Sequence, residues 1–295
     1  MLSILIPIYN FNVVDFVKDL RQQALASGID FEILCLDDNS DQNYKTQNSE
    51  LKEIKNVVYE ELKENIGRSK IRNRLAQTAQ YSYLLFLDCD SQTVDDRFIN
   101  RYVENLSDNK LIYGGRCYEE NPPQEENQYF RWWYGVNRET INASQRSKQP
   151  YHAFMTNNFL IPKTIFDSIR LDENLQGYGH EDTLFGLELK NRGVLIEHVN
   201  NPLCHIGLET FDEYLTKTKE GIQNLKKLID EKKIDKSVKL YRYYCLLKKI
   251  GVTNNILNYF KKNESEILKK LQDKQANLKW FDLYKLGYLI SLIKL

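Results

Sequence analysis

Neither sign of charge prevails in this sequence: 41 acidic residues balance 41 basic ones among 295. A chain with no net field does not gather nucleic acid over its whole surface, so we expect no nucleic-acid partner. Long apolar runs are missing as well. Nowhere do the roughly 18 uninterrupted apolar residues of a membrane-spanning helix occur. The opening MLSILIPIYN lacks the charged leader, extended apolar stretch and small-residue cleavage site of a secretory signal. The five cysteines, Cys35, Cys89, Cys117, Cys204 and Cys245, are odd in number and far apart, and none belongs to a CxxC pair. That spacing offers no thiolate metal site or dithiol redox couple and fits a reducing compartment. Together these absences predict a cytoplasmic protein. No internal repeat points to a solenoid.

What is present is an alternation. Leu2–Ile8 reads as a strand. Val13–Ala26, with Phe16, Val17, Leu20 and Leu25 at roughly helical spacing, reads as a helix that Gly28 stops. Phe31–Leu36 is a second strand and ends at Asp37-Asp38-Asn39-Ser40. A polar helical stretch near Ser49–Ile54, a short strand around Val57–Glu60 and a helix from Gly67 to Gln80 follow, and the strand Tyr83–Leu87 runs into Asp88-Cys89-Asp90. Strands alternating with helices predict an α/β fold with a mostly parallel central sheet. Open sheets of this kind bind ligands beyond the carboxyl ends of their strands, where both acidic clusters sit. After a helix over Asp95–Leu106, NPPQEENQYFRWWYG reads as a long loop of the sort that carries substrate contacts. Val194–Val199 is a further strand, and from Thr210 the chain is lysine-rich with helical period. We expect one α/β domain over residues 1–220 and a helical C-terminal extension over 221–295.

Several side chains in this frame can carry chemistry, each beside a plainer alternative. Asp88 and Asp90 emerge where a strand ends, close enough to share one hard cation, Mg2+ or Mn2+, and the phosphates it neutralises; a turn or cap is the ordinary use of such a triplet. Asp38 can accept hydrogen bonds from a base or ribose, or close an Asx turn. His205 can complete a carboxylate site for a borderline cation such as Mn2+, or act as a structural hydrogen-bonding group. In Gly177-Tyr178-Gly179-His180-Glu181-Asp182 a glycine turn precedes two acids and then the apolar pattern Leu184, Phe185, Leu187, Leu189. Those acids either stabilise a helix N-terminus or supply the general base that takes a proton from an attacking hydroxyl. Tyr9 can stack on a nucleobase or pack in the core. Arg68 and Arg72, at i and i+4, can face a diphosphate from one side of a helix or form a solvated face. Trp132, Trp133 and Tyr134 can wall a sugar or anchor the fold.

In order along the chain, IPIYN, DDNS, ENIGRSKIRN, FLDCD, NNFLIPK, GYGHED and the late His205 resemble the inverting GT-A glycosyltransferases of glycosyltransferase family 2. GYGHED is similar to the Gly-aromatic-Gly-x-Glu-Asp segment of β-1,4-galactosyltransferases and chondroitin-type polymerases, with Tyr178 where close relatives often carry Trp. The resemblance implies a Rossmann-like GT-A sheet. It implies metal-dependent transfer of a hexose or N-acetylhexosamine from a UDP-sugar to a hydroxyl of a glycan or lipid-linked glycan, in bacterial surface polysaccharide synthesis. By that similarity Asp182 is the catalytic base and Glu181 an acceptor ligand, with Trp132, Trp133 and Tyr178 on the acceptor side. Asp90 and His205 hold Mn2+ or Mg2+, and Asp88 meets the donor sugar, the ribose, or the metal through water. Tyr9 and Asp38 meet the base, Pro7 shapes that pocket, and Arg72, with Arg68, approaches the diphosphate.

A single in-line displacement then inverts the anomeric carbon; no second nucleophile for a retaining route is identifiable. A nucleotidyltransferase, the runner-up, would carry a glycine-rich basic loop after the first strand, whereas IPIYNFN has neither glycine nor lysine. An inactive carbohydrate-binding relative would have lost metal ligands or base, and Asp88, Asp90, Asp182 and His205 are all present. The terminal WFDLYKLGYLISLIKL is too short and too interrupted to span a bilayer. It is either a helix docked on the protein or one lying in a membrane interface near a lipid-linked acceptor.

Overall fold

Strand β1 (Leu2–Ile8) is buried along nearly its whole length, which requires strands on both its edges and helices on both its faces. The computed structural model of the chain, which describes residues 1–175 and 177–294, supplies both. After β1 come α1 (Val14–Ala26), β2 (Phe31–Asp37), α2 (Gln42–Asn48), β3 (Val57–Glu61), α3 (Arg68–Thr78), β4 (Tyr83–Leu87), β5 (Ser91–Thr93), α4 (Phe98–Val103), β6 (Lys110–Tyr113) and β7 (Arg116–Cys117). Then follow α5 (Tyr129–Arg138), α6 (Ala143–Arg146), β8 (Asn158–Pro162), α7 (Lys163–Ile169), α8 (Glu181–Asn191), β9 (Leu195–His198) and β10 (Leu203–His205). Four helices end the chain: α9 (Phe211–Asp230), α10 (Lys239–Lys249), α11 (Thr253–Gln272) and α12 (Lys279–Lys294).

Seven strands form one sheet in the order β3-β2-β1-β4-β8-β6-β9, and β5, β10 and β7 form a small second sheet. In the large sheet only β8 runs against its neighbours β4 and β6. The mostly parallel α/β architecture expected from the alternation is therefore the one observed. Ile4, Ile6 and Ile8 of β1 face one core cluster with Val17 and Leu20 of α1, while Leu5 faces the other with Ile71 and Leu75 of α3. This two-residue period with both phases apolar is what a sheet covered on both faces demands.

The chain divides into two compact units. The first holds both sheets and ends at Gly207; the second combines residues 120–139, 177–180 and the chain from Leu208 onward. Periodicity alone drew the division near residue 220. Contacts draw it differently, because the stretch read as a long loop contains α5, whose Phe130 stacks edge-on against Phe211 and Phe281 in the aromatic core of the helical unit. The expected loop is thus corrected over Tyr129–Arg138: the aromatic run is a buried helical face.

Among the described residues no helix is long and apolar enough to cross a membrane. The apolar side chains of α12 are already in use, since Phe281, Tyr284, Leu289 and Ile290 are buried in the helical unit. Gly287 lies so close to Phe260 of α11 that a Cβ there would come within 2.3 Å of the ring. We expect Gly287→Val to overpack that contact and lower stability by about 1–3 kcal/mol, measured as a shift of the denaturant midpoint without a change of slope.

Candidate functional site

Strands β2 and β4 flank β1 and run parallel to it, so the residues that follow all three leave the sheet at one edge. That edge carries Tyr9, Asp37, Asp38, Asp88 and Asp90. The Leu2 N–H and the Ile8 C=O both point to β2, so by alternation Pro7 turns toward β4. Pro7 has no N–H to donate, and the β1–β4 ladder covers only Leu2–Leu5. The ladder ends where the strand order reverses between β1 and β4, the usual place of a ligand site in such sheets. Tyr9 is 55% exposed, so it lies outside the core and its ring is open to stacking. Burial pushes the thiol of Cys89, between Asp88 and Asp90, up to about 12.

The DDNS segment is a scaffold for the next loop. Buried Asp37 accepts hydrogen bonds from Ser40 N and the Tyr59 hydroxyl. Asp38 accepts one from Ile66 N at 2.7 Å and one from Gly67 N at 3.0 Å, one on each carboxylate oxygen. Burial raises its pKa, and those two amides only partly offset the shift. Any hydrogen bond from a base or ribose to Asp38 must use the remaining lone pairs. The clamp fixes the start of α3, where Gly67 adopts φ 84°, a left-handed conformation natural to glycine.

Two arginines one turn apart on α3 then reach opposite acidic clusters. Arg68 Nε is 2.6 Å from Glu181 Oε1, and Arg72 Nη2 is 2.5 Å from Asp88 Oδ1. Arg72 also donates to the Arg68 carbonyl and is 3% exposed, so its charge is committed within the protein. Asp88 is held from the other side by Arg116, Nη2 to Oδ2 at 3.3 Å. Arg116 was missed from the sequence; the only local sign was the Gly114-Gly115 pair before it, where a Cβ on Gly114 would come within 2.3 Å of Asn201 O. Asn157, the first residue of NNFLIPK and given no role there, accepts from Asp88 N through its carbonyl, while its buried Nδ2 makes no hydrogen bond among the described residues.

Asp90 and His205 meet through the small sheet. His205 pairs with Ser91 across β10 and β5, the Asp90 carbonyl accepts from Ile206 N and Gly207 N, and His205 Nδ1 is 3.4 Å from Asp90 Oδ1. Gly207 makes the approach possible: a Cβ on it would come within 2.6 Å of Asp90 Cβ. Among the described residues no group of three or more His, Cys, Asp or Glu gathers as a metal cage. A pair of one carboxylate and one imidazole suits a borderline cation that draws its other ligands from phosphates and water. Asp88 meets a guanidinium on each carboxylate oxygen, Arg72 on Oδ1 and Arg116 on Oδ2.

Glu181 and Asp182 open α8, as the capping reading and the catalytic reading both require. Their environments push them apart. Burial would raise the Glu181 carboxyl, but the charges of Arg68 and Arg72 more than offset this and hold it below its ordinary value. Asp182 is raised to about 6 by burial and by the neighbouring Glu181 charge, against hydrogen bonds from Thr183. Two adjacent carboxylates with separated pKa values are what an acid–base site needs.

The remaining candidates belong to the helical unit. The Tyr178 carbonyl accepts from Asn224 Nδ2, and Lys217 lies over the Tyr178 ring. Trp132 is buried, and the Trp133 indole donates to the Ala276 carbonyl at 2.9 Å. Both tryptophans anchor α5 in its own unit.

Comparison with known proteins gives a consistent picture. The sequence profile described as Glycosyl transferase family 2 matches residues 3–170. A chondroitin synthase of Escherichia coli is 23% identical over 239 residues, covering 69% of this chain; the chain spans only 34% of that relative's length. Among solved structures, a mannosyltransferase from Pyrobaculum calidifontis in complex with GDP-Man and Mn2+ superposes with TM-score 0.55 at 10% identity, over 78% of this chain and 64% of the other. S. aureus TarS 1–349 superposes with TM-score 0.52 at 13% identity, over 99% and 91% of the two chains. These likenesses at low identity establish the fold.

The Arg72–Asp88 pair offers a direct test. Removing one partner of a buried ion pair strands the other charge, so Arg72→Met should cost about 3 kcal/mol. Combining it with Asp88→Asn should cost less than the sum of the single changes, read from a double-mutant cycle of denaturant melts.

Proposed function

Because the chain belongs to glycosyl transferase family 2, we propose that it transfers a hexose or N-acetylhexosamine from a UDP-sugar to a hydroxyl of a glycan or lipid-linked glycan, with inversion at the anomeric carbon. The observation that carries this reading is the double bridge from α3. Arg68 and Arg72 tie Glu181 of α8 to the acid at the end of β4, so the candidate base, next in sequence to Glu181, is carried by the same charge-linked frame as the donor edge of the sheet.

In this mechanism Asp182 is the base. With a pKa near 6 it is largely ionised at neutral pH yet still basic enough to take a proton. Glu181, kept ionised by Arg68, accepts a hydrogen bond from a second acceptor hydroxyl and fixes its orientation. The acceptor oxygen attacks the anomeric carbon as Asp182 receives its proton, and the nucleoside diphosphate departs from the opposite face. Asp90 and His205 are the residues that would hold Mn2+ or Mg2+; a divalent cation there supplies stabilisation of the charge on the departing diphosphate. Tyr9 offers its ring to the base, Pro7 borders the base site where the β1–β4 ladder has ended, and Asp88, held by Arg72 and Arg116, meets the donor sugar or ribose.

Hydrolysis and transfer assays over a panel of nucleotide sugars, with and without Mn2+, test the donor class. We expect Asp182→Asn to lower kcat by about 1,000-fold, within the usual range for losing a general base, while donor affinity stays nearly unchanged. The rate of the native protein should fall tenfold per pH unit below about pH 6. The folded pKa of Asp182 is raised, so ionisation at that site costs stability, and the cost is relieved as pH falls through about 6. Asp182→Asn should therefore melt at a higher temperature than the native chain at pH 7.5, and the difference should vanish in acid. Asp90→Ala and His205→Ala should each weaken Mn2+-dependent binding of a nucleoside diphosphate about 10-fold or more, measured by calorimetry without turnover; unchanged binding in both variants would overturn the assignment.

A further inference from the structure

From Lys239 to Lys262 the chain has no acidic residue and six basic ones, Lys239, Arg242, Lys248, Lys249, Lys261 and Lys262, although its total charge is zero. This stretch contains α10. Inside the helical unit α10 rests on the side that carries Tyr244, which is 5% exposed. The other side is bare, with Tyr243 48%, Leu246 54% and Ile250, just past the helix end, 68% exposed. Together with Lys239 they recur at i, i+4, i+7 and i+11, the spacing of a single stripe. Arg242 and Lys249, both exposed, lie one row to its side, and exposed Lys232, Lys233 and Lys236 lead into the helix.

Single apolar residues scattered over a surface need no explanation. Three in succession on one helix face do, because a helix that only faces water places charged groups there. The mixture also selects a partner. A nucleic acid would engage the cations and leave Leu246 and Ile250 in water, and an apolar protein groove would gain nothing from the basic border. A bilayer bearing anionic headgroups satisfies both, since the aliphatic and tyrosyl groups enter the headgroup–acyl boundary while the cations meet phosphates. The terminal helix α12, which the sequence alone made the membrane candidate, has Phe281, Tyr284, Leu289 and Ile290 buried.

We propose that α10 is a docking surface for anionic lipid, with Tyr243, Leu246 and Ile250 inserted at the interface and Lys239, Arg242 and Lys249 on the headgroups. The full chain should float with vesicles of phosphatidylglycerol and phosphatidylcholine, should not float with phosphatidylcholine alone, and should be largely released at about 0.5 M salt. Lys239→Gln/Arg242→Gln/Lys249→Gln should reduce partition about 100-fold, roughly fivefold per charge. Leu246→Ser/Ile250→Ser should reduce it about 10-fold or more. Every substituted side chain is exposed, and matching thermal melts will verify that the fold is intact. Tyr243→Trp, whose substitution disturbs no packing, should show a blue-shifted emission on anionic vesicles only. Failure to float, or an unshifted tryptophan on vesicles that do bind the chain, overturns the proposal. So does a loss confined to the basic variant together with equally tight binding of single-stranded DNA, which would make the patch a general polyanion site.

Discussion

The pair of ion pairs on α3 is the constraint on which the rest of the site depends. Arg68 and Arg72 are one helical turn apart, and each closes on a carboxylate from a different element, Glu181 of α8 and Asp88 at the end of β4. Arg72 is buried, and a buried cation is stable only when paired; Arg68 is partly exposed and pairs with a buried carboxylate. The helix can therefore settle in one place alone, and the acids it binds are fixed by the same requirement. Asp38 sets the start of that helix by capturing the amides of Ile66 and Gly67. Three acidic clusters that are distant in sequence thus become one electrostatic unit. Asp182 lies beside the unit, and burial together with the neighbouring Glu181 charge raises its pKa more than Arg68 and the Thr183 hydrogen bonds lower it.

This organisation carries a cost in stability. A carboxylate whose pKa is driven upward opposes folding at neutral pH, and the neighbouring pairs must hold it in place. Glu181 is the counterpart: burial should neutralise it, yet two arginines keep it charged. The adjacent acids of GYGHED therefore differ through their surroundings, although their positions in the chain are equivalent.

Much of this was legible in the sequence. Strands ending in DDNS and DCD were marked by apolar runs stopping at turn-forming acids, and their common edge followed from parallel connectivity. What stayed hidden depended on long-range contact. Phe130 and the residues around it follow two prolines and a polar run, so they read as loop until Phe211 and Phe281 are there to cover them. The i, i+4 spacing of Arg68 and Arg72 indicated a shared face but could not reveal that carboxylates of the same chain already occupy it. Arg116 lay on a two-residue strand too short to register as an element. The burial of α12 and the exposure of α10 could not be separated either, since both are apolar, basic and helical, and only packing distinguishes them.

The antiparallel strand β8 has a consequence for the order of assembly. Strands β1 to β4 lie within the first 87 residues and form one half of the sheet, whose β4 edge pairs with β8. Strand β6 is the next strand of the large sheet to be synthesised, yet it does not pair with β4, because β8 lies between them and is not complete until Pro162. While a nascent chain elongates, the β4 edge stays unpaired and its last amide, that of Asp88, waits for the carbonyl of Asn157. Long-range pairings of this type close slowly. This edge of the sheet is thus begun early and finished late, so the segment around Asp88 becomes rigid only after β8 has been made and is open to misassembly before then.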